Sequence, residues 1–151
     1  MELWQQRPRP VVSAVIINKD KKILLTLRSN NVSWPGQWCL PGGHLKGGQD
    51  WSTACREEVQ EETGLEVVKA ELVGIYSDPK FNQLWEAKEG KTVSFVAASF
   101  LIREFRGETK ITDEVAALDW FSWEALPEPL IAIERIKIGD ALAFQGQVFV
   151  R

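Results

Sequence analysis

Apolar residues arrive along this chain in short runs, and each run ends where glycine, proline or charge intervenes. Val11 to Asn18 predicts a buried strand, and Lys19-Asp20-Lys21-Lys22 predicts a turn. Ile23 to Leu27 predicts a second strand, which would make a hairpin with the first. Ser29 to Gly36 reads as a loop with a Pro-Gly break, and Trp38 to Leu45 as a short extended piece around Gly42-Gly43. Asp50 to Thr63 has the pattern of a helix, with Asp50 placed to cap it and Gly64 to end it. Leu65 to Tyr76 predicts a strand, Ser77 to Lys91 a long polar loop, and Thr92 to Arg103 and Ala116 to Trp123 two further strands. Leu130 to Phe144 carries apolar residues at helical spacing. Strands precede and follow each helix, so the expected fold class is α/β, with a mixed sheet packed between helices.

Size and composition narrow the chemistry. The 151 residues suit one domain, spanning 1–151, with a core large enough to need no disulfides. Hydrophobic residues make up 44% and charged residues 26%, as in a water-soluble globular protein. Met1 to Pro10 is polar and holds two prolines, unlike a signal peptide, and no apolar run approaches a membrane span. The two cysteines, Cys39 and Cys55, build no disulfide framework, which makes a reducing cytoplasm the expected compartment. With one histidine, His44, and no CxxC pair, a zinc site of the Cys/His type is excluded. A metal here would be held by oxygen, which points to Mg2+ or Mn2+. A formal net charge of -3 without a long Lys/Arg block argues against a broad nucleic-acid surface.

The chemistry concentrates on the Asp50–Thr63 helix. Glu58, Glu61 and Glu62 fall within an arc of about 100°, and Glu57 widens it to about 140°. Trp51, Cys55 and Val59 form an apolar stripe beside that arc, so the carboxylates flank the buried face. Glu57 with Glu61, and Glu58 with Glu62, are like charges four residues apart, each pair costing roughly 0.2–0.5 kcal/mol in an isolated helix. A solvated acidic face has the same composition, but a divalent cation would remove the repulsion. Just upstream, Gly42-Gly43 and Gly47-Gly48 bracket His44-Leu45-Lys46, and glycines let backbone groups approach a ligand closely.

Together the glycine loop and the acidic helix carry a resemblance. Gly43 to Leu65 resembles the Nudix box, in which Gly is followed by five residues, Glu, seven residues, Arg-Glu, an aliphatic residue, any residue, Glu-Glu, any residue, Gly and an aliphatic residue. This chain reads Gly43, then Gln49, then Glu57-Glu58-Val59-Gln60-Glu61-Glu62-Thr63-Gly64-Leu65. Trp38-Cys39-Leu40-Pro41-Gly42 is similar to the usual lead-in, and Tyr76-Ser77-Asp78-Pro79, Trp120-Phe121 and Leu126-Pro127 are similar to downstream segments of the family. Gln49 stands where the pattern has Glu, and Glu57 where it has Arg. A one-residue slip would bring Arg56 into the Arg position but misplace every residue after it.

The resemblance implies a Nudix-like α/β/α sandwich with a mixed central sheet. It also implies a magnesium held by Glu58, Glu61 and Glu62 with the Gly43 carbonyl. The implied activity is a metal-dependent pyrophosphohydrolase that cleaves the phosphoanhydride of a nucleoside diphosphate linked to another moiety, such as a (d)NTP or an ADP-ribose-like compound. Candidates for the catalytic base are Glu114 and Glu58. Arg28 is a candidate for phosphate, and Trp34 and Trp85 are candidates for stacking on a base. Trp38, Trp51 and Trp120 read as core, and His44 as structural. Gln49 and Glu57 suit each other, because the Gln49 amide can donate to the Glu57 carboxylate in place of an ion pair. The alternative is a catalytically weakened nucleotide-binding sensor of the same fold; a protein-interaction role would rest on the tryptophan-rich loops alone. The expected partner is a small nucleotide, not a membrane, and the Ser77–Lys91 loop is a candidate cover for the substrate or contact in a homodimer.

Overall fold

The structure is a computed structural model, and it describes residues 7–32, 34–86 and 90–151. Nine strands and three α-helices follow one another among the described residues: β1 (Arg9–Ile16), β2 (Ile23–Arg28), β3 (Trp38–Cys39), β4 (Gly42–His44), α1 (Trp51–Thr63), β5 (Glu66–Tyr76), α2 (Pro79–Asn82), β6 (Gln83–Glu86), β7 (Lys91–Arg106), β8 (Val115–Phe121), α3 (Ala132–Leu142) and β9 (Phe149–Val150). The larger sheet runs β4-β1-β7-β5-β9, with β6 paired to β7, and a smaller one runs β3-β2-β8. β1 and β7 are parallel, from Arg9 opposite Phe95 to Ile16 opposite Ile102, while β4 and β5 flank them antiparallel. The sheet is therefore mixed, as the alternation of elements requires.

Period-two alternation sends the side chains of β1 and β7 to two cores. Val12, Ala14, Ile16, Ala98, Phe100 and Ile102 pack with Ala54, Cys55 and Val59 of α1. Val15, Ile17 and Leu101 face the other way and pack with Ile138 and Ala141 of α3. That places the sheet between two helices, in an α/β/α arrangement. Trp38, Trp51 and Trp120 are partly buried against these cores, Trp120 stacked on Phe105 with ring centroids 5.9 Å apart.

Two sequence expectations are corrected. The first two strands do not form a hairpin ladder. A single antiparallel bridge joins Ile17 to Ile23, after which β2 leaves for the second sheet and pairs with β3 and β8. β1 is already flanked by β4 and β7, and Ile23, Leu24 and Leu25 are fully buried only because β2 faces both cores. The segment 77–91 is not simply a loop. Asp78 accepts a hydrogen bond from the Lys80 N–H at 2.9 Å and starts α2 with Pro79 in its first turn, and Gln83–Glu86 then pairs antiparallel with Lys91–Ser94. Polarity concealed this hairpin, because capping and backbone pairing leave no mark in a hydrophobic pattern. Among the described residues, no helix is long and apolar enough to cross a membrane.

Tyr76 ties β5 to α3. Its ring is fully buried and its hydroxyl donates to Asp140 Oδ2 at 2.9 Å, while Arg151 donates to Asp140 Oδ1 at 2.9 Å. Burial and the bond to Asp140 both raise the phenol's pKa, so the hydroxyl stays a donor. Tyr76→Phe removes one buried donor but leaves Asp140 paired with Arg151. It is expected to cost about 1 kcal/mol in urea unfolding, and an unchanged midpoint would show that the bond contributes nothing.

Candidate functional site

The acidic face of α1 meets the backbone of β4. Asp50 caps the helix by accepting from the Thr53 N–H at 2.7 Å, and Gly64 ends it at φ 80, a left-handed conformation that glycine adopts without strain. Ala54, Cys55 and Val59 anchor the buried face. Helical spacing then directs Glu58, Glu61 and Glu62 toward Gly42 and Gly43.

The approach is close enough to explain both glycines. A Cβ on Gly43 would lie 2.5 Å from Glu58 Cδ and 2.6 Å from each of its oxygens. A Cβ on Gly42 would collide with the Val12 carbonyl oxygen. The Gly42 N–H donates to Glu62 Oε1 at 3.3 Å.

These carboxylates are costly where they stand. Glu62 is only 9% exposed, and burial, followed by the charge of Glu58, pushes its pKa up to about 8 against the opposing pull of the Gly42 N–H and Arg28. Burial and the neighbouring Glu61 also raise Glu58, and Lys46 partly offsets them. Burial takes the thiols out of play, Cys39 to about 11 and Cys55 to about 12.

The donor set fits a hard divalent cation: carboxylates on one side of a helix, facing a glycine backbone that admits an ion. As the side chains stand, no three His, Cys, Asp or Glu among the described residues form a group that would hold one. Glu58 lies against Gly43 and Glu62 turns to the Gly42 N–H. Positions i, i+3 and i+4 share one side of α1, so convergence takes rotation of side chains and no backbone movement.

A cleft of about 610 Å³ opens over this surface. It brings together Gly43, Glu58, Glu61, Glu62, Glu114, Arg28 and Trp34. Trp34 has φ 52, a left-handed conformation rare for a bulky residue. Trp85 lies in β6, and its side chain falls outside the described residues. His44 is exposed and tilted beside Phe95, with ring centroids 6.3 Å apart. Sequence reasoning missed Lys46 as a cleft residue, and it missed Glu134 and Lys137 of α3, which also line the cleft. A signal for the last two existed. On a helical wheel both fall inside the arc of about 140° bounded by Ile133 and Ile138, where apolar residues belong.

Gln49 and Glu57 do meet. Gln49 Nε2 donates to Glu57 Oε2 at 2.6 Å, and Gln49 Oε1 accepts from the Lys46 N–H at 3.0 Å. The amide thus joins α1 to the loop that carries Lys46. Gln49→Glu sets two carboxylates together and should destabilise by about 1 kcal/mol. Glu57→Arg should be tolerated better, and the double change should recover most of the loss, with a coupling of roughly 0.5–3 kcal/mol in a double-mutant cycle. Additive stabilities would contradict the contact. The two glycines should also part company. Gly42→Ala strikes backbone and should cost about 1–3 kcal/mol. Gly43→Ala meets only the end of a flexible side chain, so its melting temperature should stay closer to that of the parent. Equal losses in thermal unfolding would contradict this assignment.

Comparison with known proteins agrees with this geometry. A family model described as NUDIX domain matches residues 7–142. An ADP-ribose pyrophosphatase of Methanocaldococcus jannaschii is 35% identical over 121 residues, covering 80% of this chain and 66% of that protein. The nucleoside triphosphatase NudI of Escherichia coli is 26% identical, covering 80% of this chain and 86% of the relative. Among solved structures, a MutT NUDIX hydrolase from Burkholderia pseudomallei superimposes with a TM-score of 0.74 at 30% identity, covering 89% of this chain and 98% of that one. With its box at Gly43–Leu65 folded as loop and helix against the sheet, the chain belongs to the Nudix hydrolase family.

Proposed function

We propose that the chain is a single catalytic domain, a magnesium- or manganese-dependent pyrophosphohydrolase. Its substrate is a nucleoside diphosphate linked to another moiety, a (d)NTP or an ADP-ribose-like compound. The observation that carries this reading is the meeting of Glu58 and Glu62 with the Gly42–Gly43 backbone in a cleft that also holds cationic side chains. The names of the M. jannaschii and E. coli relatives support the two substrate classes. The buried cysteines, both free, suit a reducing cytoplasm.

Glu58, Glu61 and Glu62, with the Gly43 carbonyl, would hold the ion. When bound, it would neutralise diphosphate charge and polarise a phosphoryl oxygen as a Lewis acid. Arg28 and Lys46, on the cleft wall, orient the phosphates by charge-assisted hydrogen bonds. Glu114 reaches the cleft just before β8 and accepts the proton of the attacking water, with Glu58 the other candidate for that role. The water oxygen forms a bond to phosphorus as the anhydride P–O bond breaks, and the departing phosphate keeps the electron pair. Trp34 and Trp85 are the stacking candidates for the nucleoside.

Phosphate release from a nucleotide and nucleotide-sugar panel tests the reading, with products identified by mass. Glu62→Gln should lower turnover at least about a hundredfold, because a charged ligand is lost where transition-state charge is stabilised. Full activity in excess chelator would contradict metal dependence. The same cation should stabilise the fold by relieving the repulsion on α1. At about 100 times its dissociation constant the gain is roughly 2.7 kcal/mol if the unfolded chain does not bind it. An unchanged melting temperature at saturating magnesium would overturn that expectation.

A further inference from the structure

α3 carries three charged residues on its buried side, Glu134, Lys137 and Asp140, at 5%, 5% and 7% exposure. Asp140 is accounted for by Tyr76 and Arg151. Glu134 and Lys137 have a different setting, because both line the cleft and Lys137 stands over Tyr76, whose apolar cluster includes no residue of α1. Glu134 Oε2 accepts from the Leu40 N–H at 2.6 Å, and Glu134 Oε1 accepts from Lys137 Nζ at 3.1 Å. Both carboxylate oxygens are thus engaged by the protein. An ammonium has three donors, and Glu134 takes one of them. Lys137 Nζ also stands 5.9 Å from the centroid of the Tyr76 ring, which holds the ammonium over an aromatic face.

A buried ion pair is poor value as a stabiliser, since apolar side chains of similar volume commonly serve as well or better. Its neighbours here are such side chains: Ile131, Ile133 and Phe81 line the same cleft, with Trp34 nearby on the wall. An apolar, partly aromatic slot suits a planar ring, and one fixed cationic donor in it suits an acceptor on that ring's edge.

Resting on the pyrophosphohydrolase reading, which puts the phosphates beside α1, we propose that Lys137, held by Glu134, reads a carbonyl oxygen on the nucleobase. The enzyme then favours bases with an exocyclic keto group over adenine, whose amino group at the same position is a donor and meets the ammonium unfavourably. Glu134 is a positioning residue, since its oxygens are used by Leu40 and Lys137.

Inosine and adenosine nucleotides present the contrast, because they differ only along one edge of the purine, a keto group with N1–H against an amino group with a bare N1. Two measurements on the full chain with magnesium separate base reading from catalysis: calorimetric affinity for IMP and AMP, and kcat/KM for ITP and ATP. The wild type should favour inosine at least about tenfold in affinity, the scale of one charge-assisted hydrogen bond. Lys137→Met should bring the two bases to within about threefold, and Lys137→Arg, which keeps a cationic donor, should retain the preference. If Lys137→Met does not fold, Glu134→Gln/Lys137→Met removes both charges and serves the same comparison. Preference for AMP, equal affinities, no binding of either nucleotide, or an inosine preference that survives loss of the ammonium would each overturn the proposal. Inosine selectivity in binding without hydrolysis of either triphosphate would leave the base reading standing and contradict the hydrolase reading instead.

Discussion

Burial of carboxylate against backbone is the constraint on which this structure turns. α1 presents acidic residues beside its apolar stripe, so packing Ala54, Cys55 and Val59 into the core draws Glu58 and Glu62 inward with them. They arrive at a strand with no side chains to meet them, Gly42-Gly43, and one of them finds an N–H there. A helix and a strand that must pack for apolar reasons are thereby made to hold charge at a fixed place. Burial first, and then the neighbouring glutamate, raises the pKa of Glu58 and of Glu62. The compensation that suits this charge is a hard cation shared with phosphate oxygens.

The same sheet separates two chemical tasks. α1 on one side supplies carboxylates to the cleft, and α3 on the other supplies the Glu134–Lys137 pair. β1 lines the same cleft with Val11, Val12 and Ser13. Strand alternation links the two helices, because the residues of β1 that pack on α1 alternate with those that pack on α3.

The helix α1 was legible in the sequence because its cap, its stop and its apolar stripe agree. The acidic arc was legible because periodicity alone fixes which glutamates share a side. The contact of Gln49 with Glu57 was readable as complementary chemistry at two positions that depart together from a pattern. The placement of β2 was not legible. A turn of four polar residues suggests a hairpin, and only the competition of β4 and β7 for the edges of β1 excludes it. The pairing of β6 was hidden because a polar stretch reads as a loop, while the backbone pairing that defines the strand leaves no mark in the pattern. Lys137 and Glu134 were legible only from their place inside the apolar arc of α3, which their burial bears out.

The central claim is that the meeting of α1 and β4 makes a divalent-cation site, and paramagnetic line broadening tests it most directly. Manganese added well below one equivalent should broaden the backbone amide resonances of Gly43, Glu58 and Glu62 first, with those of α3 following only at higher ratios. Broadening that starts elsewhere, or spreads evenly over the acidic surface, would contradict the account.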